Sequence, residues 1–367
     1  MKKLKVIVSG GGTGGHIFPA ISIANELKER LPEVEILFVG ALGKMEMERV
    51  PAAGYRIIGL PVMGFPRKVS FKMLGFFWKL YQSMRLAKKV ISEFKPDVAI
   101  GVGGFASGPV LKAAVRSGVP AILQEQNSYA GITNKLLAPK VDKICVAYPN
   151  MERYFPKEKI VMTGNPIRKN LIEAVVSKNE AFGYFHVDQT KPVVLIIGGS
   201  LGARTLNESV MANLELISRS GVQVIWQTGS YYYKEMTERL GTIGPENLFP
   251  REFVSRMDLA YAVADVVISR AGAGTISELC LLAKPCILVP SPNVAEDHQT
   301  KNAMALVENN AAILIKDLDS KAQLFHQTFS LLADEAKLKS LSKNIKKLAR
   351  PNAAHDIVDV ILEVVKT

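Results

Sequence analysis

Twice along this chain a short run of aliphatic and β-branched residues empties into a glycine turn that opens a segment of helical period. Val6-Ile7-Val8-Ser9 leads into Gly10-Gly11-Gly12-Thr13-Gly14-Gly15, and Val194-Leu195-Ile196-Ile197 leads into Gly198-Gly199-Ser200-Leu201-Gly202. Strand, glycine turn and helix is the opening of a doubly wound α/β domain, so the repeat predicts two such domains in tandem. The length of 367 residues agrees with two, since single domains average about 150. Between the turns, Val- and Ile-rich runs alternate with helical periods, as in parallel sheets. Strands are expected at Lys5–Ser9, Glu35–Val39, Arg56–Leu60, Asp97–Val102, Ala121–Gln124 and Lys143–Ala147. In the second half they are expected at Val193–Ile197, Val222–Gln227, Asp265–Ser269, Cys286–Val289 and Ala312–Ile315. Thr163-Gly164-Asn165-Pro166 breaks the pattern, giving domains 1–163 and 164–352. A closing apolar-periodic helix over 353–367 is expected to cross back onto the first domain.

At 48% hydrophobic and 22% charged the chain can bury ordinary cores, which excludes disorder and a disulfide scaffold. Cys145, Cys280 and Cys286 are flanked by apolar residues and form no C-x-x-C pair, so they read as reduced core thiols rather than zinc ligands. The basic N-terminus has too short an apolar run for a signal peptide. No stretch reaches the roughly 18 apolar residues of a membrane span, so a cytoplasmic protein is expected. The net charge of +12 is unevenly placed: up to Asn165 there are 24 Lys and Arg against 12 Asp and Glu, and beyond it 22 against 22. An anionic partner therefore faces the first half.

Gly10-x-Gly12-x-x-Gly15 fits a dinucleotide fingerprint, but the second strand ends Phe38-Val39-Gly40-Ala41 without the acidic residue a ribose would need. What remains is a helix N-terminus with exposed amides, suited to phosphate or to close backbone approach. His16 lies in its first turn, where the positive helix end disfavours imidazolium and keeps the ring able to accept a proton near its reference of ~6.5. A capping or packing histidine is the plain alternative. Gly198-x-Ser200-x-Gly202 also fits a nucleophile elbow, with Asp265 and one of His298, His326 or His355 completing a triad. A phosphate cradle fits the repeated turn better. Thr275-x-x-Glu278 after Arg270-Ala271-Gly272 reads as a capping box or as a turn for phosphate whose Glu278 accepts from ribose hydroxyls. Asp317-Leu318-Asp319 has a metal-binding spacing but sits where a solvated turn is expected, and no other cluster suggests a metal.

Met63–Lys95 holds eight basic residues and one acid. Phe71, Leu74, Phe77, Trp78 and Tyr81 recur at helical steps among Lys68, Lys72, Lys79, Arg85, Lys88 and Lys89. One face packs on the sheet. The run Phe76-Phe77-Trp78 exceeds what one core face hides, and a basic rim around aromatics suits an anionic membrane surface. No nucleic-acid motif accompanies the charge.

Taken together, these motifs resemble the MurG family, the UDP-N-acetylglucosamine:N-acetylmuramyl-(pentapeptide) pyrophosphoryl-undecaprenol N-acetylglucosamine transferases. The resemblance is carried by Gly11-Gly12-Thr13-Gly14-Gly15-His16-x-x-Pro19, Gly103-Gly104-Phe105-x-Ser107-Gly108-Pro109 and Glu125-Gln126-Asn127. It continues through Gly164-Asn165-Pro166-x-Arg168, Gly198-Gly199-Ser200-x-Gly202-Ala203, Arg270 to Glu278, and Gln299-x-x-Asn302. It implies a GT-B fold, two Rossmann-like parallel-sheet domains separated by a cleft. It also implies an inverting transfer of N-acetylglucosamine from UDP-N-acetylglucosamine to the 4-hydroxyl of an undecaprenyl-diphosphate-linked MurNAc-pentapeptide. No cofactor beyond the donor and no metal is implied.

The resemblance places Arg168, Ser200, Val254, Ala273, Gly274, Thr275, Ile276, Ser277, Glu278 and Gln299 around the donor. Glu278 would meet the ribose, Ser200 the diphosphate and Val254 the uracil. Thr13, Gly14, Gly15 and Asn127 would complete the sugar end, with His16 as the base. Peripheral attachment to the cytoplasmic face of the inner membrane through Met63–Lys95 follows, with membrane-bound cell-wall enzymes as protein partners. Gln124 replaces a histidine common in relatives and cannot be a base, and Phe105 replaces a common tyrosine. The rival readings are a GT-B transferase acting on diacylglycerol, a UDP-N-acetylglucosamine epimerase, and a membrane adaptor without activity.

Overall fold

The computed structural model describes residues 3–64, 72–168, 171, 176–241 and 244–366. The chain divides into two compact units, Met1–Arg168 with Asn352–Thr367, and Lys169–Pro351. The change of unit falls a few residues beyond Thr163–Gly164. Asn165 explains this: it accepts from Gln124 Nε2 at 3.0 Å and donates to the Gln126 carbonyl at 3.0 Å, which binds the segment to the first unit.

The first unit contains β1 (Lys5–Ser9), β2 (Glu35–Ala41), β3 (Arg56–Leu60), β4 (Val98–Gly101), β5 (Ala121–Glu125), β6 (Lys143–Val146) and β7 (Ile160–Met162). They form one parallel sheet in the order β3-β2-β1-β4-β5-β6-β7. The second contains β8 (Val193–Ile197), β9 (Gln223–Gln227), β10 (Leu248–Arg251), β11 (Val266–Ser269), β12 (Cys286–Leu288) and β13 (Ile313–Leu314), ordered β10-β9-β8-β11-β12-β13 and parallel throughout. These are the two Rossmann-like parallel-sheet domains expected. Each sheet reverses its winding beside the strand that opens it, between β1 and β4 and between β8 and β11. Loops at the carboxyl ends of those strands are where such sheets bind ligands.

Both faces of each sheet are covered, so the strands read as continuous apolar runs. Along β1, Val6 and Val8 face the helix Gly14–Arg30 and the closing helix Ala353–Lys366, while Ile7 faces the helices Lys72–Phe94 and Ser107–Arg116. Ile357, Val358 and Ile361 of the closing helix are fully buried with Ile17, Ile23 and Leu27. Each such side chain contributes about 1.5–3 kcal/mol of burial. Arg30 reinforces the junction with an ion pair to Asp359 at 2.7 Å. In the second unit Val194, Ile196, Trp226 and Ile268 pack on one face, and Val193, Leu195, Val267 and Leu288 on the other. All three cysteines are free and buried, and burial pushes the thiols of Cys145 and Cys280 up to about 12.

Every expected strand is present with ends shifted by a residue or two. The strands β7 and β10 were not expected. Both are sheet edges, and Pro250 inside β10 is tolerated there because an edge strand can spare one donor.

Candidate active site

In the first unit the loops leaving β1 and β4 touch at the switch point. A Cβ on Gly104 would stand 2.3 Å from the Gly11 carbonyl oxygen, so only glycine permits this approach. Gly11 and Gly12 have φ of 151° and 88°. The Ser107 hydroxyl lies 2.8 Å from the Ser9 carbonyl and 2.7 Å from that of Gly103, locking the two loops at their roots.

His16 sits half-buried in the first turn of the helix Gly14–Arg30. Its Nδ1 is 3.1 Å from the Gly11 carbonyl oxygen and 3.3 Å from Thr13 Oγ1. A carbonyl only accepts, so in the neutral ring Nδ1 bears the proton and Nε2 the lone pair. That tautomer is the one a base acting through Nε2 requires. Thr13 and Gly15 are exposed beside it.

The residue that shapes this loop is one the sequence reading passed over. Glu46 is fully buried, and its carboxylate accepts from the Gly12 amide at 2.9 Å and the Ala41 amide at 2.8 Å. It thereby ties the glycine turn to the end of β2. A side chain on Gly11 would collide with it, a Cβ standing 2.0 Å from Oε1.

Glu125-Gln126-Asn127 ends β5. Glu125 is buried and accepts from the amides of Asn127 and Gly131 and from the side chains of Asn127 and Asn134, at 2.8–3.3 Å. Burial pushes its carboxyl up in spite of these four donors. Asn127 is thus oriented by Glu125. Gln126 donates to the Val102 carbonyl at 2.7 Å, joining β5 to the loop after β4. Gln124 is consumed in structure, bonding Asn165 and Gln126. The Arg168 guanidinium lies 5.3 Å from the ring centroid of Phe18, within the first unit. Phe105 is exposed, with its ring against Gly64.

In the second unit Ser200 lies exposed in the turn between β8 and the helix Arg204–Ala212. Gly202 and Gly229 enforce the turn's contact with the loop after β9: a Cβ on Gly202 would be 2.0 Å from the Thr228 carbonyl, and one on Gly229 2.0 Å from the Gly202 amide nitrogen. Gln227, also passed over in sequence, donates to the Gly199 carbonyl at 3.0 Å and accepts from the Val254 amide at 2.9 Å. Val254 itself is buried, its side chain in the core.

Ala273 to Glu278 lie in the helix Ala273–Leu281, capped by Gly272. Thr275 is therefore inside the helix and forms no capping box. Glu278 accepts a hydrogen bond from the buried Tyr261 hydroxyl at 2.9 Å, and the Ser277 hydroxyl returns to the Ala273 carbonyl. Gln299 accepts from the Ser291 amide at 2.9 Å, and Asn302 donates to the Ala271 carbonyl at 3.3 Å.

Two alternatives fall on geometry. Asp265 accepts from the Val193 amide at 2.8 Å, at the amino end of β8, whereas Ser200 follows its carboxyl end. A strand rising about 3.3 Å per residue separates them, so no Ser-Asp-His triad forms with Asp265. Asp317 is not in a solvated turn: it pairs with Arg270 and accepts from the Thr205 hydroxyl at 2.9 Å. Only Leu318 of that triplet is fully turned to solvent.

Residues 65–71, including Lys68 and Phe71, and the side chains of Lys72 and Leu74 lie outside the described part of Met63–Lys95. Along the helix Lys72–Phe94, Ala87, Val90 and Ile91 are buried while Phe77, Trp78 and Tyr81 are more than half exposed. Lys79, Arg85, Lys88 and Lys89 are exposed on the same helix. No helix among the described residues is long and apolar enough to cross a membrane.

Comparison with known proteins gives the family. The glycosyltransferase family 28 N-terminal domain matches residues 6–146, and the family 28 C-terminal domain matches residues 193–357. Over 365 residues the chain is 55% identical to the UDP-N-acetylglucosamine--N-acetylmuramyl-(pentapeptide) pyrophosphoryl-undecaprenol N-acetylglucosamine transferase of Parabacteroides distasonis, covering 100% of this chain and 99% of that one. It is 52% identical over 369 residues to the enzyme of the same name from Flavobacterium psychrophilum, covering 100% and 99%. Among solved structures it is similar to MurG of Acinetobacter baumannii, with a TM-score of 0.76, 27% identity and coverage of 98% and 99%. The chain belongs to glycosyltransferase family 28 and, within it, to the MurG family of N-acetylglucosamine transferases.

Proposed function

We propose that this protein transfers N-acetylglucosamine from UDP-N-acetylglucosamine to the 4-hydroxyl of undecaprenyl-diphosphate-linked MurNAc-pentapeptide, inverting the anomeric centre, as a step of peptidoglycan synthesis. The observation that carries the reading is its end-to-end likeness to relatives named for this reaction. In the reaction the acceptor oxygen bonds to the anomeric carbon as the bond from that carbon to UDP breaks, and UDP leaves with the electron pair. The hydroxyl proton goes to His16 Nε2, directly or through water. The Gly11 carbonyl supports this role by holding Nδ1–H and stabilising the imidazolium that forms.

Charge grows on the departing diphosphate, and donors pre-aimed at it lower the barrier. Backbone amides of the Ser200 turn and of the start of the helix Ala273–Leu281, with Arg168, take this role. The positive helix end adds to it. Glu278, steadied by Tyr261, holds the ribose. Val254 lies beside the uracil and Gln299 against the donor, while Thr13, Gly14, Gly15 and Asn127 serve the transferred sugar. The exposed aromatics and cations of Met63–Lys95 rest on anionic lipid at the cytoplasmic face of the membrane, where the acceptor and other cell-wall enzymes reside.

Release of UDP by the purified chain, with and without the lipid-linked acceptor, tests the reading. Release that requires this acceptor and yields a disaccharide supports it. Release without acceptor points instead to an epimerase or hydrolase, and activity on diacylglycerol alone to a lipid-glycosylating enzyme.

A further inference from the structure

We propose that Gln227 is a positioning residue for the donor nucleotide, fixing with one side chain the backbone that meets the diphosphate and the backbone that meets the base. The inference rests on the donor reading above and names a residue that reading does not use. Gln227 is the last residue of β9 and stands in register with Ile197, the last of β8, and Arg251, the last of β10. Gln227 is buried at 5% exposure, and its carboxamide reaches past both neighbours, donating to Gly199 two residues beyond β8 and accepting from Val254 three residues beyond β10.

The consequence follows from the planarity of the peptide. Carbonyl and N–H of one trans peptide unit point in opposite directions. Holding the Gly199 carbonyl therefore aims the Ser200 N–H away from Gln227. The far side of that residue is held too, since the Ser200 carbonyl accepts from the Ser230 amide at 3.1 Å. Holding the Val254 N–H likewise aims the Phe253 carbonyl outward and commits the Val254 amide proton to Gln227. The base is then met at this point by a carbonyl, an acceptor suited to the N3–H of uracil. Gly199 adopts φ 87°, and its carbonyl accepts from the Gly202 amide at 3.0 Å as well as from Gln227.

Competitive inhibition by UDP and by uridine against UDP-N-acetylglucosamine, measured on the full chain, tests the proposal. Gln227→Glu keeps an acceptor for Val254 but sets a carboxylate against the Gly199 carbonyl. At pH 8 UDP should bind this variant about tenfold more weakly, while uridine changes less than about twofold. Lowering the pH to about 6 should recover UDP affinity as the carboxyl regains a proton to donate. Gln227→Met, which offers neither contact, should weaken both ligands. If Gln227→Glu binds UDP as the wild type does, or loses uridine as strongly as UDP without recovery at low pH, the proposal is overturned. The Gln227→Glu comparison decides even if Gln227→Met does not fold. A wild-type chain that UDP does not inhibit overturns the donor reading itself, a result distinct from an unchanged variant.

Discussion

Gly103 and His16 stand so close that a methyl group on the glycine would lie 2.8 Å from both Cδ2 and Nε2 of the imidazole. The loop after β4 is thus one wall of the ring, and the Gly11 carbonyl at Nδ1 fixes the other edge. His16→Ala removes the proposed base and should lower turnover by about 10²–10⁴-fold, with little change in KM for UDP-N-acetylglucosamine. Near-normal turnover would remove His16 from that role.

Gly103→Ala tests the wall while leaving His16 itself in the sequence. At φ 94° an alanine is strained by about 1–2 kcal/mol, and its methyl group must displace the imidazole. Turnover should fall by at least about tenfold, and by a larger factor than the melting shift alone explains. Equal losses in turnover and in folded fraction would show that the contact matters only for stability.

Glu46→Gln asks whether the glycine turn depends on an acceptor-only group. Both partners of the carboxylate are backbone amides, and a carboxamide satisfies one while opposing the other with its own N–H. With the carboxamide oxygen kept on the buried Ala41 amide, its nitrogen faces the Gly12 amide, and leaving that amide unpaired costs about 1–3 kcal/mol. The variant should lose roughly tenfold or more in kcat/KM, since Gly12 is released beside His16. Unchanged kcat/KM at reduced melting temperature would confine Glu46 to a structural role.

How far the sequence disclosed this site depends on what each residue does. The glycine turns were legible because tight backbone approach demands glycine, and His16 was singled out by its place in the first turn of a helix. The capping box that singled out Glu278 does not form, since Thr275 lies inside its helix. Glu46 and Gln227 were not legible, because the Gly12 amide that Glu46 holds, and the Gly199 carbonyl and Val254 amide that Gln227 holds, are main-chain groups of loops distant in sequence, and only the sheet order brings those together. A polar residue closing the apolar run Val224-Ile225-Trp226 was the available hint for Gln227. Likewise β7 and β10 escaped because edge strands bury less and tolerate proline. Asp317 looked solvated because Arg270 lies far away in sequence, and the ion pair exists only in the folded unit.

Lys284 predicts a pH dependence of stability. Burial pulls its ammonium down to about 8, against a smaller opposing pull from Asp265, and its Nζ donates to the Ala264 carbonyl at 2.8 Å. The unfolded chain keeps this proton to about pH 10.4, so between about pH 8 and that value unfolding takes up a proton. Stability from this residue is therefore gained as pH rises through the window and lost as pH falls through about 8. The gain is about 3 kcal/mol at most. Urea denaturation should show the wild type gaining on Lys284→Met by up to that amount between pH 8 and 10.5. A difference that stays constant with pH would exclude the shifted lysine.

The exposed face of the helix Lys72–Phe94 makes a prediction about lipid. Trp78 and Tyr81 stack with ring centroids 6.0 Å apart and are more than half exposed, and the Arg85 guanidinium lies 6.0 Å from the Tyr81 ring centroid. Cations near an anionic surface contribute about 1 kcal/mol each. Replacing Lys79, Arg85 and Lys88 together by glutamine should therefore weaken binding to phosphatidylglycerol vesicles by roughly 100-fold. The loss should shrink as salt is raised, because the screening length shortens. Trp78→Ser with Tyr81→Ser should weaken vesicle binding by a factor that salt does not change, since apolar burial is not screened. Sedimentation with vesicles at two salt concentrations separates the two effects. Full binding by both variants would mean that this face serves something other than the membrane.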